Sequence, residues 1–96
     1  MAIRGLDELK QKMKELEKAT AALDGDITTV NFNPHDPQSI ELAIQQVEAS
    51  IDERVGSLSK NDMVQGIVTE MKERYRQAII ERAATARAEG GTERDD

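Results

Sequence analysis

The chain contains no cysteine and no tryptophan, a single histidine, and only two aromatic side chains in 96 residues, Phe32 and Tyr75. Each absence excludes something. Without cysteine there is no disulfide, no thiolate metal ligand and no thiol nucleophile. With His35 as the lone imidazole, in a proline-bracketed turn beside Asp36, the parts of a nucleophile, base and orienting-acid constellation are missing, and exposure or a local hydrogen bond is its ordinary role. The glycines Gly25, Gly56 and Gly66 stand alone and Gly90-Gly91 sits near the end, so there is no phosphate-cradling loop. Asp24-Gly25-Asp26 opens like a calcium loop, but Thr29 and His35 stand where that loop needs its glycine and its glutamate. No enzyme activity, metal or cofactor is therefore expected.

Long apolar runs are also missing. None approaches membrane-spanning length, and the opening Met1-Ala2-Ile3-Arg4-Gly5-Leu6 leads into charged residues without the apolar stretch of a signal peptide. A cytoplasmic location away from membranes is the expectation. The net charge of −6 opposes nonspecific attraction to phosphate backbones, so nucleic acid is not an expected partner.

What is present is charge on a helical framework, with 38% hydrophobic and 33% charged residues, which suits a folded helical chain better than a disordered one. Leu6, Leu9, Met13, Leu16 and Leu23 recur with alternating three-four spacing, Thr20 holding the remaining place, and predict an amphipathic helix over about 6–23. Asp24-Gly25-Asp26 stops it. Asp36 followed by Pro37 reads as a cap with proline in the first turn, and Ile40, Ile44, Val47, Ile51 and Val55 predict a second helix over about 37–55 that ends at Gly56. Ser59 with Asp62 offers a further cap for a third helix over about 60–88, along Met63, Ile67, Met71, Tyr75, Ile79 and Ala83. Met13, Met63 and Met71 lie on these apolar faces, where core filling is commoner than an adaptable binding surface.

Between the first two helices, Ile27-Thr28-Thr29-Val30-Asn31-Phe32 is the one stretch rich in β-branched and aromatic residues and predicts a short strand over about 27–32. A strand needs a neighbour, either residues 1–4 or the same segment of another subunit, and alternation would turn Val30 and Phe32 toward the helices. The fold class expected is mainly α with minor β. One domain over 1–88 precedes an acidic tail over 89–96 without an apolar anchor, expected to be disordered.

Charge is segregated along the chain. Glu41, Gln45, Glu48 and Asp52 form a ledge one residue beyond the apolar stripe of the second helix at every turn, and Lys72, Arg76, Arg82 and Arg87 lie on the third. Charges flanking a helical seam commonly set its pairing, and the same faces could instead meet another protein. Together with Val30 and Phe32 these residues make up the candidate interaction surface.

The opening Ile3-Arg4-Gly5-Leu6-Asp7-Glu8-Leu9, continuing through Lys10 to Leu16, resembles the start of small phage and prophage morphogenesis proteins of the head–tail joining and tail-completion kind. In those a short strand, Gly-Leu and an amphipathic helix lead the chain. The likeness covers roughly the first sixth of the sequence, and the proline- and glycine-rich middle and strand-rich C-terminal half of those proteins are missing. It implies a non-enzymatic assembly role of phage or prophage origin.

A small helical core with few large anchors commonly gains stability by association, so a homo-oligomer is the default. The expected function is that of a non-enzymatic interaction or assembly protein whose partner is itself or a different protein. The alternative is a small acidic adaptor or inhibitor docking on a different host protein through a charged helix face.

Overall fold

Helix α2 illustrates how local chemistry places the elements. The Asp36 carboxylate accepts the Gln38 backbone N–H at 3.0 Å, Pro37 occupies the first turn, and the helix runs Pro37–Val55. Gly56, at φ 54°, turns the chain out while its N–H donates to the Asp52 carbonyl. A 3₁₀ turn, Gly56–Lys60, leads into α3, Asp62–Arg94. Before them lies α1, Ala2–Ala22, stopped by a turn in which Gly25 takes φ 79°. The structure, a computed structural model, describes the backbone of residues 2–94 and the side chains of residues 5–89.

These helices correct the expected fold class: among the described residues there is no strand, and the protein is all-α. Residues 2–4, the anticipated strand partner, belong to α1, so the short leading strand suggested by the phage-protein resemblance is missing too. The Ile27–Phe32 segment crosses the bundle without regular structure. Its inward side chains explain why. Ile27 is buried and Val30 and Phe32 are half-buried against the core, a three-then-two spacing that the period-two alternation of a strand cannot produce. β propensity reflects fit to a pleated, partnered surface, and without that surface the segment lies down by its side chains.

The third helix differs at both ends. It begins at Asp62 and is capped by Asn61 rather than Ser59, and it continues through Gly90-Gly91 to Arg94. Residues 95–96 of the acidic tail expected over 89–96 lie outside the described residues.

The core is aliphatic, as the shortage of aromatics requires. Ile44, Ile51 and Val64 are its largest enclosed side chains, joined by Ala19 of α1, Leu23 in the turn after it, Val47 and Val55 of α2, and Val68 and Ile79 of α3. The molecule is long, 73 × 20 × 18 Å, with a radius of gyration of 18.4 Å. A spherical domain of this length would have about 12–13 Å. Among the described residues no helix is long and apolar enough to cross a membrane.

Candidate functional site

The α2–α3 seam is lined by charge. Arg76 grips Glu41 with two hydrogen bonds, at 3.0 and 3.3 Å, and Lys72 Nζ meets Asp52 Oδ1 at 2.8 Å. The Glu41 carboxylate raises the Arg76 pKa above its ordinary value, first through those hydrogen bonds and then through its charge, with Glu48 adding to the effect. Four members of the anticipated surface thus neutralise each other across their own contact. Gln45 is exposed and borders a shallow groove with Leu42 on the outer side of α2. Arg87 reaches the other end of the bundle and donates to the Pro34 carbonyl at 2.7 Å.

Val30, Phe32 and Arg82 come together elsewhere. They line a cleft of about 370 Å³ between the extended segment and α3, with Tyr75, Val47 and Ile79. His35 is exposed, its backbone N–H donating to Asn33 Oδ1. Among the described residues no group of three metal-ligating side chains gathers, and Asp24 and Asp26 flank the helix stop.

Three features escaped sequence reasoning. Arg54, from the end of α2, donates to the carbonyls of Ala22, Asp24, Asp26 and Ile27, closing the C-terminus of α1 and pinning the start of the extended segment. Asn61 is buried, with every polar function used: Oδ1 accepts the Met63 N–H at 2.9 Å, while Nδ2 donates to the Lys12 carbonyl at 3.0 Å and to Glu15 Oε1 at 2.9 Å. Beside it Lys12 pairs with Asp62 at 3.1 Å, and this partner holds the Asp62 carboxyl below its ordinary value. Asn61 and Asp62 are therefore where α1 meets the beginning of α3.

The third feature lies just before that point. Leu6, Leu9 and Met13 belong to the stripe that continues into half-buried Leu16 and buried Leu23, yet they are 55%, 44% and 52% exposed. The N-terminal half of α1 passes beyond the start of α3 and carries its apolar face uncovered. A strict three-four stripe is narrower than a core-facing one and suits a seam with one other helix, which is the signal the sequence held.

These elements define an elongated all-helical protein with an ion-paired seam, a side cleft and a projecting amphipathic helix. The family model described as YuaX matches residues 3–90. "Uncharacterized protein YuaX" of Escherichia coli (strain K12) is 42% identical over 93 residues, an alignment covering 97% of this chain and 96% of that protein. The chain belongs to the YuaX family. No solved structure matches it. Neither match speaks for or against the likeness to phage morphogenesis proteins.

Proposed function

We propose that the protein is a non-enzymatic assembly protein that associates with a second copy of itself through the projecting half of α1. The observation that carries this reading is the uncovered stripe Leu6, Leu9 and Met13 beyond the Lys12–Asp62 pair. Surface apolar residues scattered singly need no explanation, whereas three in helical register on one face mark a place for a partner. The approach is constrained. The same face of α1 packs on the chain's own bundle from Leu16 onward, so a parallel partner helix would run into α3. An antiparallel partner arrives from the open end, and two copies then present the same stripe to each other across a twofold axis.

Three side chains a side fall well short of the ~800 Å² per partner of a standard interface, so the dimer is weak and concentration-dependent. Charge supports self-association over docking on a foreign protein by the ledge, because Glu41, Asp52, Lys72 and Arg76 are already engaged within the chain.

Sedimentation equilibrium over a concentration series tests the reading. A reversible monomer–dimer equilibrium is expected for the native chain, with Leu9→Glu monomeric at the same helix content. A native chain that stays monomeric at millimolar concentration, or a Leu9→Glu chain that dimerises equally well, overturns it.

A further inference from the structure

The cleft beside the extended segment combines features found nowhere else among the described residues. Both aromatic side chains of the protein, Phe32 and Tyr75, line it over a floor that includes buried Val47 and Ile79. Arg82 lines it too. Of the basic side chains on the described part of α3, Lys72, Arg74, Arg76 and Arg87 each have a partner, whereas Arg82 has none among the described residues. Residues Thr28–Phe32 also line it, and their backbone N–H and C=O groups make no hydrogen bond among the described residues, nor do the Thr28 and Thr29 hydroxyls.

We propose that this cleft binds a small amphipathic monocarboxylate, its apolar body against Phe32 and Tyr75 and its carboxylate on Arg82. A guanidinium presents a planar fork of donors matched to a carboxylate, and the hydrogen bonds are charge-assisted. Flat aromatic walls favour a flat apolar ligand body. The volume of about 370 Å³ lies at the small end of ligand sites and suits a molecule of about ten heavy atoms. Asp26 also lines the cleft and disfavours a second negative charge on the ligand, which is why one carboxylate is specified.

The test is a titration of the full chain with hydrocinnamate, followed by amide chemical shifts, beside phenylpropylamine, which has a similar body and the opposite charge. Saturable shifts confined to residues 26–32 and 75–82 are expected with hydrocinnamate alone. Arg82 is exposed, so Arg82→Gln should leave the remaining spectrum in place while weakening binding by about tenfold, the loss expected for one charge-assisted contact. Failure to saturate, an equal response to the amine, or undiminished binding by Arg82→Gln overturns the proposal. Leu9→Glu should bind hydrocinnamate like the native chain, so this site and the assembly reading fail separately.

Discussion

The α2–α3 seam and the N-terminal half of α1 have the same sequence character, an apolar stripe flanked by charge, and opposite fates. In the seam Ile51 is fully enclosed and the flanking charges close on each other as Glu41–Arg76 and Asp52–Lys72. In α1 the stripe is covered only from Leu16 onward, and Leu6, Leu9 and Met13 stay in water. Periodicity therefore says which face of a helix seeks cover, and tertiary geometry decides whether the chain supplies it. The uncovered half is where function is sought.

The contrast breaks most visibly in the core. Ile51→Ala should cost about 3–4 kcal/mol, because an enclosed side chain leaves a cavity that the bundle fills only in part. Leu9→Ala on the projecting stripe should change monomer stability by less than about 0.5 kcal/mol. Chemical denaturation of both variants at low concentration measures the difference, and similar costs would mean that Leu9 is covered after all.

Asn61 joins the two regions and comes next. Asn61→Ala removes a helix cap and leaves part-buried groups without their protein partner, for an expected cost of about 2 kcal/mol. Asn61→Asp keeps the acceptor for Met63 but sets a carboxylate against Glu15, so it should recover little of that loss at neutral pH and more as the medium is acidified. A full recovery at neutral pH would reduce Asn61 to a cap without a role in holding α1.

Arg54→Ala should cost about 1–2 kcal/mol, since charged hydrogen bonds to four carbonyls are lost from a largely exposed position. Amide exchange should rise first in residues 23–30, the segment those bonds hold. Exchange that rises uniformly across the bundle would deny Arg54 its local part.

The smallest effect concerns acid. The Asp62 carboxyl is held below its ordinary value of 3.8, first by the hydrogen bond from Lys12 and then by the Lys12 charge. A lowered value in the folded state means that the pair contributes at neutral pH and that its contribution is lost as the pH falls through that lowered value, below about 3.8. Lys12→Met should remove this component of acid sensitivity, read from the Asp62 side-chain signal and from α1 amide shifts. An unchanged Asp62 titration in Lys12→Met would sever the link.

Legibility in the sequence followed locality. The bounds of α2 could be read because Asp36-Pro37 and Gly56 act within a turn of where they stand. The end of α1 was marked by Gly25 for the same reason. The ledge beside the stripe of α2 carried the seam pairing, since residues next to a buried row must flank the contact. The strand was misread because composition outweighed spacing, although Ile27, Val30 and Phe32 already broke the alternation a strand requires. Arg54 and Asn61 act on residues some 30 to 50 positions away, which no local pattern encodes. Exposure of Leu6, Leu9 and Met13 depends on where α3 begins relative to α1, a property of the assembled bundle alone.

The central claim is that the projecting half of α1 is a free helix offered to a second copy in antiparallel fashion. Because the chain lacks cysteine, Gln11→Cys places one spin label on the outer side of that helix, and Thr85→Cys places one far along α3. At concentrations that support the dimer, dipolar spectroscopy should give an inter-subunit distance of roughly 15–30 Å at position 11, set by the 8–10 Å spacing of packed helices plus label length. No distance below about 60 Å is expected at position 85, since α3 rises ~1.5 Å per residue away from the contact. A short distance at 85, or no dipolar signal at 11 under dimer conditions, would contradict the account.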